Sequence, residues 1–285
     1  MKVLSNACLK NFCSYKIGGN ACKIVFPKNL IDLKTAICLS KISKLSKKVI
    51  GNASNILFSD NGYAGMVISL KRFKKIRLLK NDCVFAEPGA MLCDIFMFAK
   101  RHGLVGFEWA GTIPATVGGA IVNNAGCFGF SMQDFVVKVK CLNESLNIET
   151  LSREDIKFDY RSSCFKLQNK IIVGVVLKFK KGDVSKSENK FLELINLRNQ
   201  KQPKGFSCGS VFKNPEGYSA GELIDKCGLK GLRLGDAQVS EKHANFILNL
   251  GNAKNKDVRK LIEIIRSIVY NIYNIKLDLE VEFVE

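Results

Sequence analysis

Between Gly106 and Gly129 the chain concentrates glycine. Gly111, Gly118, Gly119, Gly126 and Gly129 fall among Thr112, Pro114, Thr116, Asn123 and Asn124. Glycine lets a backbone approach a ligand closely, and successive free N–H groups can cradle an anion. A shorter loop of the same kind, Gly51-Asn52-Ala53-Ser54-Asn55, lies some 60 residues upstream between two strand-like runs. Neither loop is the Gly-x-Gly-x-x-Gly fingerprint of a Rossmann fold, and neither is a Walker loop. Two cradles so separated suit a long ligand with a diphosphate, such as a flavin dinucleotide. Each taken alone reads first as a turn.

Around these loops the chain alternates strand and helix signals. Residues 22–26 predict a strand stopped by Pro27. Leu30, Leu33 and Ile37 suit one face of the helix that follows. Further strands are expected over 65–70, 84–86, 135–142 and 171–179, with a helix over 91–101 ending at Gly103. The hydrophilic stretch 180–190 reads as a linker into a helix around 191–198, and a domain boundary is expected there. Residues 257–273 carry the clearest helical period, through Val258, Leu261, Ile262, Ile265, Ile268, Val269 and Ile272. The chain then alternates, with Leu277, Leu279, Val281 and Phe283 on one face and Asp278, Glu280 and Glu282 on the other. The pattern is that of a mixed α and β protein.

Composition limits the function classes. At 285 residues the chain accommodates two domains. Its net charge of +18 would suit nucleic acid, an anionic membrane or anionic small molecules. The lysines are scattered without an aromatic-basic ladder, so a solvated surface is expected and no nucleic-acid partner. Eleven cysteines form no Cys-x-x-Cys, and neither His102 nor His243 stands at zinc-ligand spacing from a cysteine pair. Free thiols in a reducing cytoplasm are expected, with no metal. The longest apolar run, 171–177, is far below the ~20 residues a membrane span needs. A soluble, cytoplasmic protein is expected.

Three stretches hold groups that could carry chemistry. Gly209-Ser210-Val211-Phe212-Lys213-Asn214-Pro215 sets a hydroxyl, an ammonium and a carboxamide between a glycine and a proline. It is either a strand end or a site that holds Ser210 against a substrate. Asp159-Tyr160-Arg161-Ser162-Ser163 pairs an aromatic hydroxyl with an arginine fork, which suits carboxylate or phosphate but is also a common surface feature. Glu280 stands mid-strand on the polar face. By themselves His102 and His243 read as structural.

With these motifs in hand, the chain resembles the UDP-N-acetylenolpyruvoylglucosamine reductases, flavoenzymes of peptidoglycan precursor synthesis. The resemblance runs from Tyr15-Lys16-Ile17-Gly18-Gly19 through Gly51–Asn55, Gly62-Tyr63-Ala64-Gly65, Gly111–Gly129 and Phe158–Ser163. It continues through Gln202-Pro203, Gly209–Pro215, Asp236–Ser240 and His243-Ala244-Asn245-Phe246 to the terminal strand. The chain is similar to the shorter variety of the family, without the inserted segment that carries a substrate-clamping tyrosine. Asn52, Ala53 and Ala115 stand where the family usually has glycine.

The resemblance implies an α+β fold. An FAD-binding domain of the vanillyl-alcohol-oxidase (PCMH) type would occupy 1–180 in two subdomains that break near 70–75. A C-terminal α+β substrate domain would occupy 190–285. It implies NADPH-dependent reduction of UDP-N-acetylglucosamine enolpyruvate to UDP-N-acetylmuramate through non-covalent FAD. Gly51, Asn52, Ala53, Ser54, Asn55, Thr112, Pro114, Gly118 and Gly119 would hold the flavin. Arg161 would stabilise charge on the substrate carboxylate, Ser210 would donate the proton, and Glu280 would be its proton-bearing or water-orienting partner, with Glu282 as the alternative. Tyr160, Lys213, Asn214 and His243 would bind substrate. A monomer is expected. The positive charge would attract FAD, NADPH and the UDP-sugar, all anionic. A related FAD oxidase and a basic nucleic-acid-binding protein are the competing readings.

Overall fold

The unbroken apolar run at 171–177 becomes the central strand of an antiparallel sheet in a computed structural model that describes residues 1–285. A strand buried on both faces needs no alternation, and six consecutive residues of Ile171–Lys178 are buried. The order across the sheet is Ile148–Ser152, Val136–Leu142, Ile171–Lys178, Cys83–Ala86, Ile76–Leu78, and every pairing is antiparallel. Gly174 sits in the central strand because the Phe85 ring fills its side-chain space; a Cβ there would lie 2.5 Å from Phe85 Cε2.

This sheet belongs to the first of two contact units, formed by Met1–Val3, Ile24–Asn52 and Val67–Arg198. Helix α1 (Leu30–Ile42) begins where the Asn29 side chain accepts the Asp32 N–H. Helix α2 (Leu92–Arg101) buries Leu92, Ile95, Phe96 and Ala99, the i, i+3, i+4, i+7 stripe of an amphipathic helix. It ends at Gly103, whose φ of +71° suits glycine. The short helices α3 (Glu108–Gly111) and α4 (Val117–Val122) carry the glycine-rich stretch. Phe107 meets Trp109, Phe135 and Phe179 edge-on beneath them. Helix α5 (Val184–Lys201) starts earlier than its apolar residues suggest, so most of the expected linker is helical. Its polar first turns are fixed from outside their own sequence. Ser187 Oγ donates to Glu108 Oε1, and Lys100 pairs with Glu188 at 2.8 Å. One turn later Phe191 stacks on Phe96 at 4.5 Å.

The second unit collects Leu4–Lys23, Ala53–Met66 and Asn199–Glu285. Strands Lys2–Cys8, Asn20–Phe26 and Tyr63–Ser69 carry the chain from one unit to the other. Its sheet orders Arg233–Leu234, Ala237–Val239 and Ile247–Asn249. Two helices complete it, α6 (Ala220–Lys226) and α7 (Asn255–Tyr273). The Asp60 carboxylate accepts the Asn255 and Lys256 N–H groups at 2.8 and 3.2 Å, setting an anion at the positive end of α7. Val258, Leu261, Ile262, Ile265 and Val269 form its buried stripe.

The terminal segment departs from the expected clean alternation. Glu280 and Val281 both donate their N–H to Val211 O, at 2.8 and 3.4 Å, so two residues oppose one as in a β-bulge. Past the bulge Val281 is still buried and Glu282 exposed, but Val284 is more buried than the half-buried Phe283, and Glu282–Val284 pairs in parallel with Ile56–Phe58. Glu280 is half-buried and Glu282 exposed, so the two carboxylates do not share a face environment.

Candidate active site

The first unit shapes its candidate site with backbone. Gly51 lies against Thr116, and a Cβ on Gly51 would stand 2.0 Å from Thr116 Oγ1. Thr116 is 1% exposed, and its hydroxyl has no hydrogen-bond partner. Asn52 Nδ2 donates to Pro114 O at 2.7 Å, which ties the Gly51 loop to the glycine-rich stretch. Gly118 is engaged in packing: its N–H donates to Pro88 O at 3.0 Å, and a Cβ would meet Pro88 Cβ at 2.9 Å. Gly119 is roomier, with Thr116 Oγ1 3.6 Å from where its Cβ would be. Thr112 Oγ1 donates to Trp109 O at 2.8 Å.

Arg161 stands in the same unit at the tip of a two-stranded hairpin, Phe158–Asp159 with Ser162–Ser163. Its φ of +54° is in the left-handed region, an unfavourable conformation for a side chain of this size. The hairpin is held from three sides. Asn124 Nδ2 donates to Asp159 O, Ser163 Oγ to Val122 O and Lys166 Nζ to Arg161 O, at 3.0, 2.8 and 2.7 Å. Tyr160 and Arg161 line a cavity of about 470 Å³ together with Asn124, Gly126, Cys127 and Phe130.

The same neighbourhood contains a residue that no motif singled out. Arg198, on the last turns of α5, donates through Nη1 to Thr112 O at 2.5 Å and to Thr112 Oγ1 at 3.3 Å, while its buried Nε has no partner. Burial pushes its guanidinium pKa down, and the Arg161 charge acts in the same direction. Burial also pushes the Cys127 thiol up, against the opposing pull of Arg198. The only signal in the sequence was a cation on a helix whose neighbours Leu194 and Phe191 turn inward.

The second unit builds around Ser210 differently. Gly209 has φ +80° with nothing near its Cβ direction, so glycine is needed there for conformation and not for space. The three residues after Ser210 are held on both sides. Val211 N donates to Asn245 O, Phe212 N to Asn245 Oδ1, and Asn245 Nδ2 to Phe212 O, each at 2.9 Å. On the other side Glu280 N reaches Val211 O and Lys213 N reaches Asp278 O, both at 2.8 Å. Asn245, 3% exposed, acts as a piece of strand made from a side chain. Asn55 Nδ2 donates to Glu280 O at 2.9 Å and its carbonyl accepts the Glu282 N–H at 3.0 Å, so this expected flavin residue holds the glutamate segment. Ala53, in the left-handed region at φ +50°, accepts the Ser14 N–H at 3.3 Å. Ser54 is half-buried.

Burial pushes the Cys208 thiol up to about 12, with the Glu280 carboxylate adding to the effect. Asn214 Oδ1 accepts the Ala220 N–H at 3.0 Å and so starts α6. Lys213 is half-buried. His243 Nδ1 accepts the Asn245 N–H at 3.3 Å, and its ring packs on Phe246 and against Gly221. Burial lowers its pKa, favouring a neutral ring with the proton on Nε2. All eleven cysteines are free thiols.

Residues 22–152 match the family model of an FAD binding domain, and residues 199–284 match that of the UDP-N-acetylenolpyruvoylglucosamine reductase C-terminal domain. The chain is 41% identical to the UDP-N-acetylenolpyruvoylglucosamine reductase of Caldicellulosiruptor bescii, covering 97% of this chain and 88% of the relative. It is 41% identical to that of Alkaliphilus oremlandii, covering 99% and 93%. The crystal structure of the reductase from Thermus caldophilus superposes with a TM-score of 0.85 at 34% identity, covering all of this chain and 98% of that one. The fold is α+β, with an FAD-binding domain and a C-terminal α+β domain, as expected. The buried, partnerless Thr116 hydroxyl fits a flavin that would give it a partner, while glycine at 51 is what lets Thr116 come this close. Relatives 41% identical over nearly the whole chain, together with the matching C-terminal domain model, leave one conclusion: the chain belongs to the UDP-N-acetylenolpyruvoylglucosamine reductase family.

Proposed function

We propose that this chain reduces UDP-N-acetylglucosamine enolpyruvate to UDP-N-acetylmuramate, with Ser210 as proton donor, Glu280 as its partner and NADPH as reductant. The carrying observation is the bulge at Glu280, which docks that residue on the carbonyl of the residue after Ser210. When bound, FAD would supply hydride equivalents drawn from NADPH for the methylene carbon of the enolpyruvyl group. The neighbouring carbon gains negative charge that spreads into its carboxylate. The planar fork of Arg161 suits that carboxylate, and the strained backbone that presents it is supported by Asn124, Ser163 and Lys166. Arg198 adds a second desolvated cation in the same unit. Ser210 gives its proton to the carbon, and its position is set by Gly209 before it and the Asn245 clamp after it. Glu280 holds or relays the replacement proton.

Tyr160, Lys213, Asn214 and His243 are proposed substrate contacts. Gly51, Asn52, Ala53, Ser54, Thr112, Pro114 and Gly119 would line the flavin, with Gly118 and Asn55 supporting them. The division into an FAD-binding part through residue 180 and a substrate part from 190, non-covalent flavin, a monomeric state and a cytoplasmic location belong to the same reading. No helix is long and apolar enough to cross a membrane. Ser210→Ala tests the proton assignment. Flavin reduction by NADPH is expected to stay near normal, while flavin reoxidation by substrate slows by about 10²–10⁴-fold in stopped flow. Equal slowing of both half-reactions would make Ser210 structural.

A further inference from the structure

Helix α1 is apolar on both sides, a pattern expected of a helix that is covered all round. Its inner face, Leu33, Ala36, Ile37 and Ser40, is buried in the first unit. Its outer face is not covered: Ile31 is 77% exposed and Ile42 78%, with Cys38 and Leu39 exposed between them. Eleven residues make three turns, so Ile31 and Ile42 share a line along the helix within about 20°, and Cys38 falls on it as well. The ridge is about 16 Å long.

The charge around this ridge has one sign. From residue 28 to residue 48 the chain carries Lys28, Lys34, Lys41, Lys44, Lys47 and Lys48, against the single acid Asp32. The Asp32 carboxylate already accepts the Lys28 N–H at 3.0 Å. The acid facing this region from a neighbouring element is Glu144, whose Oε1 accepts from Asn169 and whose carbonyl takes Lys41 Nζ at 3.2 Å. Lys34 and Lys41 flank one side of the ridge, while Lys28 lies at one end and Lys44 and Lys47 at the other.

We propose that the outer face of α1 is a peripheral docking surface for an anionic lipid bilayer. Two branched aliphatic chains three turns apart, on a convex helix, match an interface that accepts apolar groups to a depth of ~5–10 Å. The surrounding lysines can keep their ammonium groups among anionic head groups while their stems lie over the apolar ridge. A protein partner would ask for a groove or a fixed polar pattern, and the ridge offers neither. The net charge of +18 supplies long-range attraction toward such a surface.

The test is co-sedimentation of the full-length flavin-loaded protein with vesicles of equal parts phosphatidylglycerol and phosphatidylcholine, and with pure phosphatidylcholine. Partitioning is expected to be at least about tenfold stronger on the anionic vesicles and to fall with added salt. The double variant Ile31→Asn, Ile42→Asn is expected to lose about tenfold or more of that binding while turnover stays unchanged. Lys34→Gln, Lys44→Gln and Lys47→Gln together should flatten the salt dependence. Equal binding to both vesicle types, or binding indifferent to the isoleucine pair, overturns the proposal. So does a dimer seen by light scattering without lipid that the double variant abolishes, which would give the face to a second copy.

Discussion

The stretch after Ser210 and the glycine-rich part of the first unit treat polar groups in opposite ways. Around Ser210 every backbone group of Phe212 is answered within the chain, chiefly by Asn245. Around Gly51 a buried hydroxyl on Thr116 and a buried guanidinium nitrogen on Arg198 are left unanswered. A buried polar atom without a partner costs about 1–3 kcal/mol, and one kept in a folded protein is a candidate for completion by an ordered water or a ligand. Under the proposed function, a bound flavin would supply a partner to these groups of the first unit. The segment after Ser210 is held beforehand by Asn245 and by the Glu280 backbone, although the buried Tyr15 hydroxyl of the same unit also has no partner.

The contrast can be broken most forcefully at Asn245. Asn245→Ala leaves the Phe212 N–H and carbonyl buried and unpaired, so stability should fall by about 2–5 kcal/mol in denaturant titration. A loss under about 1 kcal/mol would show that water can replace the clamp. Next comes Gly51→Ala, whose Cβ must displace Thr116. It should cost about 1–3 kcal/mol and weaken flavin retention, read by absorbance after gel filtration. Combining it with Thr116→Ala should restore packing without restoring flavin affinity. Smaller and of opposite sign is Thr116→Val, which removes the unanswered hydroxyl. The flavin-free protein should gain about 1 kcal/mol while the flavin dissociates more readily. Unchanged affinity would remove Thr116 from the cofactor site.

The mildest effect concerns pH. Burial holds His243 below its ordinary value, so the unfolded chain takes up that proton first. The resulting contribution to stability is complete above the unfolded value near 6.5 and is lost as pH falls through it toward the folded value. Replacing His243 by Gln should flatten that part of a stability-against-pH curve, and an unaltered curve would show the ring to be effectively solvated.

What was legible in the sequence follows from range. The period of α7, the stripe of α2 and the glycine loops are local, and they stand where the residues put them. The start of α5 was hidden because its polar first turns are fixed by Glu108 and Lys100, some 80 residues away. The bulge at Glu280 depends on Val211, and no alternation count within 277–283 contains it. Ser210 and Arg161 could be singled out because short motifs bracket them. Arg198 and Asn245 act on backbone far from themselves; nothing adjacent announces Arg198, and the His243–Phe246 motif marks Asn245 without revealing its hold on Phe212.

The three-piece makeup of the second unit sets an order of events during synthesis. Leu9, Tyr15 and Ile17 are fully or almost fully buried in a unit whose largest segment begins at Asn199, some 175 residues later. At ~5–20 residues per second the ribosome needs on the order of ten to forty seconds to deliver the missing partner. Through that interval the first apolar segment made has only Ala53–Met66 of its own unit to pack against, and the nascent chain must keep the rest of it from premature association.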